Sequence, residues 1–327
     1  MMAAPAKHVL LFPFPGQGHL SAFMSLAGLL HGALPDAAIT LVSTPRNVAA
    51  LRTTERSKAN SSFLGFHALP FTPADHDLPP DCESSDAIQP MAIFHLLEAF
   101  EALEAAFDDY LATVAMAGGS ARDVCVVSDP LTAWTVTVAR RRGCAHAFFA
   151  SCGAYGTAVL HSLFSHLPVR PDPTTGRVHL PEYPEVVIHR SQLFSAGPPA
   201  VRERRARFFG RQVPLGYETD AVLINPVEEF EPTGLAMLRR TLKIPVCPIG
   251  PLVRATGLPV STRTEADAAI VSFLDRHPPS SVLYISFGSQ NTIRAEHMTR
   301  RTSSLGRADL RQWLRPPRAA PDHTVSG

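Results

Sequence analysis

Two segments of this chain share a pattern in which a short apolar run ends in a glycine-bearing turn. The first is HVLLFPFPGQGHL at residues 8–20, and the second is SVLYISFGS at residues 281–289. A β-strand that leads into such a turn is how an open α/β sheet presents backbone N–H groups to a phosphorylated ligand. Only 38 residues follow Ser289, whereas an α/β domain needs roughly 100 or more. The pattern therefore predicts one complete domain and the beginning of a second.

Apolar runs alternate with segments of helical period over the first 250 residues, which is typical of a parallel sheet built from βαβ units. The predicted strands are 8–13, 38–43, 62–69, 123–129, 145–150, 221–225 and 245–252. Apolar residues at three- and four-residue spacing predict one long helix over 93–114. The proline-rich stretch 70–90 predicts a long surface loop, and 168–200 predicts a meandering connection.

Composition shifts divide the chain into four parts. The complete first domain is predicted at 1–252, and the polar stretch 253–266, with its Ser/Thr cluster, predicts a linker. A predicted helix and the strand of SVLYISFGS then begin the second domain, at 267–298. The last 29 residues, 299–327, contain six Arg and few large apolar side chains, so a disordered tail is predicted there.

The charge and the cysteines exclude several classes of protein. The formal net charge is +1 at pH 7, which gives no electrostatic reason to expect nucleic acid or an anionic membrane as partner. The five cysteines are widely spaced, without a C-x-x-C pair, which favours neither a disulfide framework nor a zinc site. No apolar stretch is long enough to span a membrane. We therefore expect a protein of the reducing cytoplasm.

Two titratable residues, His19 and Asp129, are predicted to meet at one edge of the sheet. His19 follows the turn after the first strand, and Asp129 ends strand 123–129; ligands of open α/β folds bind at this edge. An imidazole can accept a proton near neutral pH, and a carboxylate bonded to its other ring nitrogen fixes the tautomer. On position alone, His19 is more commonly a turn histidine bonded to backbone. Asp129-Pro130 is also a strong helix cap, and both roles of Asp129 can hold at once.

Five stretches of the sequence together resemble the plant secondary-product UDP-glycosyltransferases of glycosyltransferase family 1. They are FPFPGQGHL, VCVVSDPLTAWTVTVARRRGCAHAFF, LINPVEEFE, IGPL and SSVLYISFGSQ. The resemblance implies an α/β fold of the GT-B type, with an acceptor-binding and a UDP-sugar-binding Rossmann-like domain. It implies inverting transfer of a hexosyl group from a UDP-sugar to a hydroxyl of a small lipophilic acceptor, such as a phenol. It also implies that no metal and no cofactor takes part, the UDP-sugar being a co-substrate.

The resemblance implies roles for five residues. The histidine that matches His19 deprotonates the acceptor hydroxyl, and the aspartate that matches Asp129 orients this histidine. Ser151 matches a hydroxyl residue that touches the donor sugar. Gly288 and Ser289 match the loop that faces the donor diphosphate.

The family's donor-binding signature, rich in Trp, His, Gly, Asn, Glu and Asp-Gln, has no counterpart after Ser289. We therefore expect a transferase truncated before that signature, which binds UDP-sugar weakly if at all and is inactive or severely impaired on its own. A non-catalytic acceptor-binding module and a non-functional gene product remain alternatives. An NAD-dependent Rossmann enzyme is a remote one, because Gly16 and Gly18 are followed by Ser21 and the second strand lacks the ribose-binding carboxylate.

Overall fold

The computed structural model describes residues 7–53, 63–89, 92–193, 198–252 and 265–284. The chain divides into two compact units, Met1–Thr256 and Gly257–Gly327, and this division falls within the predicted linker. Residues 253–264 of that linker and the predicted tail 299–327 lie outside the described residues.

The first unit is built on a parallel sheet of seven strands. The strands of the described chain are β1 (Lys7–Phe12), β2 (Ala37–Ser43), β3 (Leu64–Ala68), β4 (Val124–Ser128), β5 (Ala145–Ala150), β6 (Arg177–Leu180), β7 (Tyr183–His189), β8 (Ala221–Ile224) and β9 (Val246–Pro248). The sheet has the order β3-β2-β1-β4-β5-β8-β9, and all its pairings are parallel. The chain runs outward in one direction from β1 and in the other from β4, so the topological switch point lies between these two strands. The predicted α/β fold class is confirmed.

Helices cover both faces of this sheet. The described helices are α1 (Gln17–Ala33), α2 (Pro45–Thr53), α3 (Ile93–Glu101), α4 (Glu104–Ala117), α5 (Thr135–Arg142), α6 (Ala154–Ser165), α7 (Pro199–Gly216), α8 (Pro232–Thr241) and α9 (Glu265–Asp275). Successive side chains of a strand point to opposite faces. Leu11 of β1 therefore joins a core with Phe23 of α1, while Phe12 joins another with Phe107 of α4, their ring centroids 5.1 Å apart.

The single helix predicted over 93–114 is two helices, α3 and α4. The break lies at Ala102 and Leu103. Here Leu103 N donates to Phe100 O at 3.3 Å, a hydrogen bond that spans three residues, whereas the bonds of an α-helix span four. Phe100, Leu103 and Phe107 are all buried in the same core. Because this spacing also places the three side chains on one face of a continuous helix, the apolar pattern does not reveal the break.

The two predicted irregular connections contain more structure than expected. The loop 70–90 was predicted to lie on the surface, yet Leu78, Cys82 and Glu83 within it are buried. The connection 168–200 contains the antiparallel pair β6 and β7. Leu78 and Cys82 join the core that contains Phe12, and Val178 and Leu180 of β6 join the core that contains Phe148.

The second unit is described from Glu265 to Tyr284. It contains α9, on which Ile270 and Leu274 are exposed, and residues 281–284 have no strand assignment. A strand exists only through pairing with a neighbour. The predicted strand 281–289 therefore stays a prediction, since 285–289 lie outside the described residues.

Candidate active site

The structure brings His19 and Asp129 into direct contact at the switch point of the sheet. His19 lies in the first turn of α1, just beyond β1, and Asp129 follows β4. The register pairs Phe12 with Ser128, and Asp129 N donates to Phe12 O at 3.1 Å. Across this junction His19 Nδ1 lies 2.6 Å from Asp129 Oδ2. Two residues separated by more than a hundred positions are thus joined at the carboxyl edge, where open α/β sheets bind ligands.

Asp129 uses its two carboxylate oxygens for different purposes. Oδ2 faces His19, while Oδ1 accepts a hydrogen bond from Leu131 N at 2.9 Å. The second bond caps the 3₁₀ turn Pro130–Thr132. The carboxylate is therefore held by the backbone that follows it, and its remaining oxygen has a fixed direction toward the imidazole.

The tautomer of His19 follows from this contact. An ionised carboxylate only accepts hydrogen bonds, so the His19 Nδ1–H donates to Asp129 and Nε2 is left to accept a proton. Asp129 is fully buried, whereas a third of the His19 side chain is exposed. Burial by itself would lower the pKa of His19, but the charge of Asp129 and its hydrogen bond outweigh burial and raise that pKa above its ordinary value. His19 is therefore a partly exposed base whose pKa is raised by the buried carboxylate of Asp129.

The turn before His19 is tightly packed. A Cβ added to Gly16 would lie 3.1 Å from Ser85 Oγ and 3.2 Å from the His19 ring. Ser85 N donates to Pro15 O at 2.9 Å, so the segment around Ser85 is bound to the turn that carries the histidine. The contact of this segment with the turn is not predicted from the sequence, because only the folded chain brings the two together.

A buried histidine, His146 of β5, forms hydrogen bonds to side chains that surround the end of β4, next to Asp129. Its Nε2 lies 3.1 Å from Ser128 Oγ and 3.2 Å from Thr135 Oγ1, and its Nδ1 lies 2.8 Å from Thr219 Oγ1. Burial lowers the pKa of His146 to about 3, against the opposing attraction of Asp220. His146 is thus a neutral structural residue that ties the end of β4 to β5.

Of the three predicted donor contacts, the structure describes only Ser151. Ser151 follows β5, one strand beyond β4, at the same carboxyl edge of the sheet. Its carbonyl oxygen accepts a hydrogen bond from Asn225 Nδ2 at 3.0 Å. Gly288 and Ser289 lie outside the described residues.

The described ranges contain neither a candidate metal site nor a candidate membrane span. In the part of the chain that the structure describes, no three His, Cys, Asp or Glu side chains are grouped as a metal ion would need. None of the helices described has the length and apolar character of a membrane span.

Known proteins match this chain over most of its length. A family model for the N-terminal domain of glycosyltransferases matches residues 7–183. Crocetin glucosyltransferase 3 of Crocus sativus is 34% identical over 309 residues, which cover 89% of this chain and 62% of that protein. UDP-glycosyltransferase 92A1 of Arabidopsis thaliana is 30% identical over 318 residues, which cover 94% of this chain and 64% of that protein.

A solved structure shares the fold. It is that of UGT73P12 of Glycyrrhiza uralensis complexed with glycyrrhetinic acid 3-O-monoglucuronide, which aligns with a TM-score of 0.68 at 21% identity and covers 91% of this chain and 60% of that one. The chain thus spans less than two thirds of the length of the relatives it matches. The family predicted from the five stretches is confirmed: this chain belongs to the plant UDP-glycosyltransferases, and the stretch that the family model matches is their N-terminal domain.

Proposed function

We propose that this chain supplies the acceptor-binding domain of a UDP-sugar-dependent O-glycosyltransferase, with His19 as the base and Asp129 as the residue that orients it. The observation that carries the proposal is the 2.6 Å contact between His19 Nδ1 and Asp129 Oδ2 at the switch point of the sheet. The names of the relatives describe glucosyl and UDP-dependent glycosyl transfer by those proteins.

The base is needed because a neutral hydroxyl is a poor nucleophile. A phenol has a pKa near 10, so little of it is ionised at neutral pH. His19 Nε2 takes the hydroxyl proton as the oxygen forms its bond to the anomeric carbon of the sugar. The bond from that carbon to the UDP oxygen breaks at the same time, UDP leaves with the electron pair, and the configuration inverts. Asp129 stabilises the imidazolium that results.

The raised pKa of His19 has two consequences for this step. It makes the imidazole a stronger proton acceptor, which favours removal of the hydroxyl proton. It also means that acidification protonates the ring and removes the base, so the step slows as the pH falls below the pKa of His19. No metal and no cofactor is proposed, and charge on the departing diphosphate must be stabilised by donors other than His19 and Asp129.

The acceptor is proposed to be a small lipophilic compound with a hydroxyl group. The Glycyrrhiza neighbour was solved with a glucuronide of glycyrrhetinic acid, which shows what that protein binds. In this chain the buried ring of Phe14 makes an edge contact with the His19 ring, their centroids 5.5 Å apart, so the base is packed against an apolar side chain. Ser151, Gly288 and Ser289 stay proposals as donor contacts. The cytoplasmic location also stays a prediction.

We further propose that a polypeptide with this sequence has little or no transferase activity by itself, because the donor-binding signature has no counterpart in it. The test adds radiolabelled UDP-glucose and a panel of phenolic acceptors to the purified 327-residue protein. Acceptor binding is measured in parallel by the intrinsic fluorescence of Trp134, whose ring lies 5.3 Å from that of Phe12 at the end of β1. The second tryptophan, Trp313, is replaced by Phe so that the signal comes from Trp134 alone.

The expected result is saturable quenching of fluorescence without measurable sugar transfer. The variants are His19→Ala and, as the matched control, His31→Ala, which removes a histidine from the other end of α1. Transfer that His19→Ala abolishes and His31→Ala leaves intact would contradict the proposed inactivity while supporting the role of His19. Absence of saturable binding would contradict the acceptor-binding role and favour a non-functional product.

A further inference from the structure

The stretch LINPVEEFE contributes a side chain, Asn225, that joins separate parts of the first unit. Asn225 Nδ2 donates to Ser151 O at 3.0 Å, and its Oδ1 accepts from Leu252 N at 2.7 Å. Asn225 N also donates to Ala150 O at 3.2 Å. One residue thus connects the end of β5 to Leu252, which belongs to the IGPL stretch.

Gly250 of the IGPL stretch lies in close contact with the backbone of Asn225. A Cβ added to Gly250 would overlap the carbonyl oxygen of Asn225, so only glycine fits at this position. Ile249 N donates to Ile224 O at 2.9 Å, which continues the pairing of β8 and β9 up to this point. The contact between Asn225 and Leu252 is therefore made between two segments that the sheet already holds in register.

Glu231, at the other end of LINPVEEFE, reaches the loop after Ser151. Its Oε2 accepts a hydrogen bond from Tyr155 N at 2.9 Å, in the first turn of α6. A carboxylate at a helix N-terminus is stabilised by the helix dipole and by the unpaired N–H groups there. A Cβ added to Gly153 would collide with the Glu231 carboxylate. The missing side chain of Gly153 thus leaves room for the Glu231 carboxylate, and the N-terminus of α6 stabilises its charge.

We propose that Asn225 and Glu231 are positioning residues that hold the loop 151–153 at the carboxyl edge of the sheet. Asn225 fixes the Ser151 end, and Glu231 fixes the end at α6. The importance of this loop for sugar transfer rests on the proposed function, because Ser151 is the proposed donor contact. The holding of the loop itself does not depend on any turnover.

The test uses Cys152, which lies within the loop. The residue is exposed overall, but its Sγ lies 3.2 Å from Thr157 Oγ1 and burial raises the pKa of the thiol, so release of the loop is expected to speed its alkylation. Alkylation of each cysteine is followed by peptide mass spectrometry in the folded, full-length protein. Cys144 is buried and serves as the internal monitor of global unfolding. The quantity measured is the rate for Cys152 relative to that for Cys144.

The first variant is Asn225→Asp, which can still accept from Leu252 N but turns a carboxylate oxygen toward Ser151 O. The matched control is Asn47→Asp, because Asn47 Nδ2 donates to Thr44 Oγ1 and Glu83 O, both at 2.7 Å, far along the sheet at α2. We expect both variants to lower the melting temperature. Only Asn225→Asp is expected to raise the relative rate at Cys152, by about fivefold, the factor that the net worth of one hydrogen bond corresponds to.

The second pair of variants tests Glu231 by rescue. Glu231→Ala removes the acceptor for Tyr155 N and is expected to raise the relative rate at Cys152 in the same way. Glu231→Gln keeps a side-chain oxygen and is expected to stay near the wild-type rate. Relative rates that stay at the wild-type value in Asn225→Asp and Glu231→Ala, or that change equally in Asn47→Asp, would overturn the proposal. These results are independent of sugar transfer, so failure of the proposed function is seen separately in the transfer and fluorescence assays.

Discussion

Replacing Asp129 by Asn and by Ala separates the two functions of its carboxylate. Asn keeps an oxygen that can accept from Leu131 N, and it caps helical turns about as well as Asp. It loses the charge that faces His19 at 2.6 Å. Ala loses both contacts. The two variants therefore differ mainly by the cap.

The expected costs follow from these contacts. A hydrogen bond to a charged group contributes about 1.5 to 3 kcal/mol, so we expect Asp129→Asn to lower the free energy of unfolding by about 2 kcal/mol. Loss of a cap adds about 1 kcal/mol, which brings Asp129→Ala to about 3 kcal/mol. Urea unfolding of the three proteins, followed by circular dichroism, measures both differences.

The pH dependence gives a second check on the same pair. Because the pKa of His19 is raised in the folded protein, the contribution of the ion pair is fully present below the ordinary value of 6.5 and is lost as the pH rises through the folded pKa. The cost of Asp129→Asn should therefore be larger at about pH 6 than at about pH 9. In an NMR titration the pKa of His19 should fall in this variant. Equal costs for Asn and Ala, or a cost of Asn that does not change with pH, would refute the reasoning.

Two further predictions concern the surroundings of the His19–Asp129 pair. The lowered pKa of His146 contributes stability that is present above 6.5 and lost as the pH falls toward about 3. Urea unfolding between these limits should show a slope steeper by about 1.4 kcal/mol per pH unit in wild type than in His146→Gln, and parallel curves would contradict it. Gly16→Ala should displace the His19 ring, change its NMR signals and weaken phenol binding, because its Cβ would lie 3.2 Å from that ring. The control Gly18→Ala, whose Cβ meets nothing within 4 Å, should leave both unchanged; equal effects of the two would contradict the packing argument.

The position of the His19–Asp129 pair could be predicted from the sequence because it depends on local signals. An apolar run marks each strand, and the residue after the run must lie at the carboxyl edge of a parallel sheet. His19 and Asp129 both follow such runs, and β1 and β4 are neighbours. Position alone left open whether His19 is a base or a turn histidine. The resemblance of the five stretches to a known family implies the role of base.

Other features depend on contacts that carry no periodic signal. The break at Leu103 is invisible in the sequence pattern, because the spacing of Phe100, Leu103 and Phe107 fits a continuous helix equally well. The segment around Ser85 has few apolar residues, yet it binds the turn at Pro15 through backbone atoms that any sequence contains. Asn225 was visible only as part of a family stretch, and its partners become known when β5, β8 and β9 lie side by side.

The central claim is that His19 accepts the proton of an acceptor hydroxyl, and a coloured phenol tests it without sugar transfer. A nitrophenol, whose phenolate absorbs visible light, is bound to wild type and to His19→Ala near neutral pH. The ionised fraction of bound phenol is read from its absorbance. We expect more phenolate on wild type, because the imidazole that Asp129 orients takes the proton, and less in His19→Ala, where burial favours the neutral phenol. Equal phenolate fractions on the two proteins would contradict the account.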